Sequence, residues 1–156
     1  KQAVAEFVKW VADEKDQKMA RVFYQEVPKS QLIQKGYIAS RSGHSRGSTI
    51  DLTLIKTPKA KTIRRPSLYF KEGDGDCRKQ NGEAYGDQLD MGTIYDCFSA
   101  LASTDHPQVS AKARKDRLLL KVAMEKFGFE NYSKEWWHYS LKNEPFKKRY
   151  FDYEVD

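Results

Sequence analysis

The chain has 156 residues, 39% of them hydrophobic and 13% aromatic, with 28 Lys and Arg set against 22 Asp and Glu for a formal charge of +6. This composition excludes an unfolded polymer, and a chain of this length buries roughly 70% of the surface its unfolded form exposes, enough for one domain with a real core. No apolar run approaches the roughly 18 residues of a membrane span, no signal-peptide pattern is present, and the basic residues lie scattered among acids without a recognised nucleic-acid motif, so the positive charge reads as a solvated surface.

Ala3, Val4, Phe7, Val8, Trp10 and Val11 recur at helical spacing and predict a helix from 2 to about 13 with one buried face. The opening KQAVAEFVKW has the look of a helix interior, which carries the expectation that the chain begins part-way into a domain. Val22 to Tyr24 is a short apolar segment stopped by Pro28. Leu32 and Ile33, followed by Lys35-Gly36, predict a short helix with a glycine cap. Residues 37–39 then read as a brief strand, and 49–55 as a second one beyond the stretch SGHSRGSTIDL at 42–52. Residues 56–90 are polar, basic and glycine-rich, an excursion over the surface with a candidate strand at 67–70. MGTIYD at 91–96 and an irregular stretch with Asp105-His106-Pro107 follow. The clearest helix spans about 110–127, where Leu118, Leu119, Val122, Ala123 and Phe127 predict the buried stripe and Gly128 the stop. SKEWWHYSL predicts a strand over 136–141. Helices mixed irregularly with strands indicate an α+β fold built on an antiparallel sheet.

The two cysteines, Cys77 and Cys97, do not form a CxxC. They are open to three readings: a disulfide, two buried thiols, or half a metal site. A bond across twenty residues with intervening glycines is geometrically easy, and it would place the protein in an oxidising compartment.

His44, Asp51 and His138 form a set of two nitrogens and one oxygen, and Glu135 stands three residues before the last histidine. A catalytic zinc takes three protein ligands and keeps one position open, and peptide hydrolysis also needs a carboxylate to carry a proton from water to the leaving amine. On an ideal strand residues three apart face opposite sides. A bend at Trp136-Trp137 must therefore bring Glu135 to the same centre as His138. Each fragment alone also reads as plain structure, a surface histidine near a strand aspartate or a core edge of tryptophans, and spacing does not decide between these. His106 reads as part of a surface turn, and the aromatic run 150–153 as a packing terminus.

SGHSRGSTIDLTL has the form SxHxxGxxxD and EWWHY the form ExxHY. Both resemble the D-alanyl-D-alanine dipeptidases of the vancomycin-resistance (VanX) type, zinc peptidases related to D,D-carboxypeptidases. The resemblance extends over KGYIAS, MGTIYD, FGFENYSKEWWHY and EPFKKRYFDYEV, nearly the whole chain outside 56–90. It implies one zinc ion held by His44, Asp51 and His138, Glu135 as catalytic base, Ser42 lining the substrate pocket, and Asp96 as receptor for the dipeptide's free ammonium group. The expectation is thus a single zinc D,D-dipeptidase domain over residues 1–156 that acts on D-Ala-D-Ala or a similar dipeptide and has no nucleic-acid or membrane partner. A D,D- or L,D-carboxypeptidase acting on peptidoglycan stems and a catalytically silent cell-wall-peptide-binding domain are the alternatives. A Cys77–Cys97 disulfide implies the periplasm, and free thiols the cytoplasm. Enzymes of this type also use an arginine from a GYRP-like segment. Arg41 and Arg46 flank the first motif but do not match that position, so the arginine is expected before Lys1, in a segment of the same protein lacking here or supplied as a separate chain.

Overall fold

The computed structural model describes residues 2–56, 75–79 and 88–153. Helix α1 (Gln2–Ala12) and the short α2 (Ala20–Phe23) come first. Strand β1 (Thr49–Asp51) follows, then helix α3 (Ala111–Lys126), strand β2 (Phe129–Asn131) and strand β3 (His138–Leu141). The three strands make one antiparallel sheet in the order β1-β3-β2, with Asp51 opposite His138 and Phe129 opposite Leu141. Helices beside a small antiparallel sheet are the α+β architecture read from the sequence. Among the described residues no helix is long and apolar enough to cross a membrane.

Two clusters of buried side chains hold this together. One gathers Met91, Cys97, Leu120, Trp136, Trp137 and Tyr139 under the sheet. The other joins Val11, Tyr24, Val27, Leu32 and Ile38 beneath α1. Lys29, only 3% exposed, links α1 to the following turn: its ammonium donates to Asp13 O (2.7 Å) and Asp16 O (2.8 Å) and lies 4.2 Å from the Trp10 ring centroid. A cation on carbonyls just past a helix C-terminus is satisfied by charge as well as by hydrogen bonds.

Several local expectations are corrected. Residues 37–39 are turns rather than a strand, because the amides of Tyr37 and Ile38 both donate back to Leu32 O and close the chain around Gly36 (φ 82°). The strand expected over 49–55 ends at Asp51; further on, Leu52 N donates to Trp137 O, and Ile55 forms an isolated bridge with Gln88. The strand expected from 136 begins at His138, since Trp136 and Trp137 form a turn. β2 was not anticipated at all. The candidate strand at 67–70 lies outside the described residues.

The helix faces are the larger surprise. In α1 only Val11 is buried, and Phe7 is 55% exposed. In α3, Leu118, Leu119, Val122 and Phe127 are 55%, 57%, 56% and 74% exposed, whereas Ala113, Arg117 and Leu120 face inward. Positions 113, 117 and 120 share one side of a helix as legitimately as the expected stripe does. α3 turns this side inward because it lies over backbone carbonyls, which want an arginine. Ser110 caps its start by accepting from the Ala113 amide (3.0 Å), and Gly128 (φ 84°) follows its end, as the sequence indicated.

Candidate metal and catalytic site

The first motif folds as a 3-10 turn, Gly43–Arg46, whose N-cap is Ser42. The Ser42 hydroxyl accepts from the His44 amide (3.2 Å) and Gly47 (φ 74°) closes the turn. A side chain at 43 would collide with Thr49 Oγ1, which is itself paired with Ser140 Oγ at 2.8 Å across β1 and β3. Glycine is thus needed for the close approach that brings His44 over the strand.

The β1–β3 register does the rest. Asp51 lies opposite His138, and its two oxygens reach both imidazoles: Oδ2 is 3.2 Å from His44 Nε2 and Oδ1 is 3.0 Å from His138 Nδ1. The two rings stand edge to face with centroids 5.0 Å apart. One ligand atom from each of His44, Asp51 and His138 lies within 4.8 Å of the others, a group that could hold a metal ion.

Glu135 enters through the turn between β2 and β3. Its amide donates to Tyr132 O (2.8 Å), and the His138 amide donates to Glu135 O at 3.4 Å. This bend places Glu135 Oε2 3.5 Å from His138 Nδ1. Asn131, on which the sequence reading was silent, clamps the turn: its Nδ2 donates to both Glu135 O (3.0 Å) and His138 O (3.1 Å), and its Oδ1 accepts from Thr104 at 2.5 Å. Trp136 anchors the same turn, giving its indole N–H to Thr93 Oγ1 at 2.8 Å. Tyr139 points the other way, fully buried in the core. An asparagine or threonine of this kind has no mark in sequence, because it acts through single hydrogen bonds that impose no periodicity or motif on the chain.

Asp96 takes a backbone φ of 58°, the one non-glycine residue with positive φ among those described. Such a conformation persists where surrounding structure over-determines it. The residue is exposed, yet its carboxylate feels both desolvation by the protein and the charges of Asp51, His44 and His138. Desolvation and then Asp51 push it up to about 6, against the opposing pull of His44 and His138. Glu135, buried, is pushed up to about 8 by desolvation and then by Asp51 and Asp96, with Lys134 opposing. Asp51 behaves oppositely. Desolvation alone would raise it, but hydrogen bonds from His138 and His44, reinforced by their charges, hold it at about 2. His44 is raised in turn, chiefly by its hydrogen bond to Asp51. The site therefore contains three acids of different proton affinity within one another's field.

Other candidates lie elsewhere. His106 accepts the Gln108 amide (3.3 Å) in its own turn and does not join the cluster. Arg46 is held by Glu144 (2.7 Å) and Tyr150 OH (3.3 Å), and Arg41 stacks over the Tyr150 ring. Both are committed to the C-terminal segment. The aromatic terminus packs on itself, Phe151 against Phe146 and Tyr153. Cys77 and Cys97 are bonded to each other, with Cα atoms 5.4 Å apart.

Comparison with known proteins identifies the family. The family model Peptidase_M15, described as D-ala-D-ala dipeptidase, matches residues 77–156. D-alanyl-D-alanine dipeptidases from Enterococcus faecium and from Enterococcus faecalis are each 32% identical over 155 residues, covering 99% of this chain and 64% of the relative. One from Streptomyces coelicolor is 29% identical over 153 residues, covering 98% and 63%. This chain belongs to the Peptidase_M15 D-Ala-D-Ala dipeptidase family. It spans less than two thirds of the length of these three relatives.

Proposed function

We propose that the protein is a zinc-dependent dipeptidase for D-Ala-D-Ala or a close dipeptide, with His44, Asp51 and His138 holding one ion and Glu135 as the general base. The observation that carries this reading is the convergence of two imidazole nitrogens and one carboxylate, with Glu135 3.5 Å from one of those imidazoles, in a member of this family. Two nitrogens and an oxygen leave the open position that a catalytic zinc requires. When bound, the ion polarises a carbonyl and lowers the proton affinity of water.

The remaining work belongs to the chain. Glu135 takes a proton from the attacking water and returns it to the departing amine. A carboxyl pushed up to about 8 by its surroundings retains a proton well, which suits the second half of that duty, and positive charge beside it favours the carboxylate needed for the first. Asp96 meets the substrate's ammonium group. A carboxylate at a fixed distance from the reacting centre measures substrate length and rejects longer or blocked peptides. Ser42 holds the turn that presents His44 and lines the pocket beside it.

The test combines metal analysis with a D-Ala release assay. Glu135→Gln is expected to retain one zinc per chain while hydrolysis falls by two or more orders of magnitude, about the contribution of a general base. His138→Ala is expected to lose zinc as well. A Glu135→Gln protein with most of its activity intact would remove Glu135 from the mechanism.

A further inference from the structure

Arg117 is fully buried, and no carboxylate is hydrogen-bonded to it among the described residues. All three of its nitrogens donate to backbone carbonyls: Nε to Met91 O (2.7 Å), Nη1 to Ser103 O (2.6 Å) and Nη2 to Leu101 O (2.9 Å). Burying a cation is costly unless its hydrogen bonds are complete, and a guanidinium is the one side chain that can complete three such bonds in a fixed fork. The three carbonyls are not random. They bracket the segment 91–103, which carries Asp96 in its left-handed conformation, and Met91 and Leu101 lie five residues to either side of it. Within the bracket, Ile94 N donates to Cys77 O (2.9 Å), Phe98 N donates to Phe23 O (2.8 Å), and Cys97 is bonded to Cys77. Thr93 of the same segment receives the indole N–H of Trp136, beside Glu135.

We propose that Arg117 is a positioning residue for substrate recognition: reaching from α3, it fixes both ends of the 91–103 segment so that Asp96 stands at the distance from the metal site that a dipeptide ammonium requires. This rests on the reading of Asp96 as ammonium receptor. It explains why α3 turns an arginine inward while leaving leucines outside. The segment's shape depends on carbonyls from three points of the chain, and no aliphatic side chain can hold those.

The test compares D-Ala-D-Ala with N-acetyl-D-Ala-D-Ala as substrates of the intact protein in wild-type, Asp96→Asn and Arg117→Lys forms, with zinc content measured alongside. Lysine keeps the charge, but its three N–H donors radiate from one nitrogen and cannot reproduce the spread of a guanidinium fork across these carbonyls. Arg117→Lys is expected to keep its zinc and to raise KM for the free dipeptide by about ten- to a hundredfold, the scale of a misplacement near 1 Å. The change in kcat should be smaller, and the preference for free over acetylated substrate should fall toward the Asp96→Asn value. If Arg117→Lys does not fold, Arg117→Gln, which retains an amide donor without the buried charge, supplies the same readout. A variant that melts earlier but keeps the wild-type preference would make Arg117 a core residue only, overturning the proposal while the Asp96 reading stands. Wild-type preference in Asp96→Asn would overturn that reading and this proposal together.

Discussion

Glu135 sits 7% exposed beside two other acids, and its raised proton affinity links folding to pH. Its ordinary value is 4.5 and its folded value about 8, so between these limits the native state binds a proton that the unfolded chain has released. Native stability therefore falls as pH rises through that window, by at most about 1.4 kcal/mol per pH unit. Glu135→Gln removes the linkage. In chelator-treated, metal-free protein, the variant's thermal midpoint is expected to gain on the wild type steadily from about pH 5 to about pH 8. An offset that stays constant with pH would mean that the carboxyl is ionised throughout. Gly43 makes a second demand at this scale, steric rather than electrostatic. A methyl there meets Thr49 Oγ1, so Gly43→Ala should cost about 1–3 kcal/mol as overpacking. It should weaken zinc binding too, since His44 is the next residue. Urea unfolding and chelator competition would measure the two effects, and unchanged values in both would show that the turn yields freely.

At the level of elements, α3 places Leu119 and Leu120 in adjacent positions with opposite surroundings, 57% and 1% exposed. Leu120→Ala is expected to cost about 2–5 kcal/mol through the cavity it leaves. Leu119→Ala should change stability by no more than about 0.5 kcal/mol. Equal losses from the two substitutions, measured by denaturant unfolding, would mean that the helix presents another face to the core. The β2–β3 unit illustrates the opposite case, a turn decided by side chains. Asn131 holds the carbonyls of Glu135 and His138 at once, so one amide group ties the backbone of these two residues together. The short strands themselves supply little more than the register that puts Asp51 opposite His138.

Over the whole molecule, the Cys77–Cys97 bond joins the segment 75–79 to the one carrying Asp96, and Arg78 adds ion pairs to Asp76 and Glu26. Glu26 also accepts from Ser99 at 2.8 Å, two residues beyond Cys97. Closing a loop of this length stabilises by roughly 3 kcal/mol in the chain-entropy picture. Reduction, or replacement of both cysteines by serine, should lower the melting temperature by several degrees and raise KM for the free dipeptide more than it changes kcat. Unchanged KM after verified reduction would free Asp96 from dependence on this bond. We propose an oxidising location such as the periplasm on the strength of the same bond. Thiol titration of the unfolded, unreduced protein checks it, since two reactive thiols would remove the argument.

His44, Asp51, Glu135 and His138 could be named as a candidate set from residue type, order and family resemblance, although spacing alone left plain structural readings open, and the fold brings the four together. The extent of α3 and its glycine stop were legible because capping and chain conformation are local properties. The buried face of α3 was not. Several apolar positions share a helix surface, and which of them turns inward depends on what the remote segment 91–103 presents, here carbonyls that call for Arg117. The left-handed Asp96 likewise lies in a segment tied to remote partners, whereas β2 and Asn131 answer to near neighbours, β3 and the carbonyls of Glu135 and His138, through contacts that leave no periodic pattern in the sequence. Local chemistry could name candidate groups, but the β1–β3 register that sets Asp51 against His138 comes from the packing of segments distant in sequence.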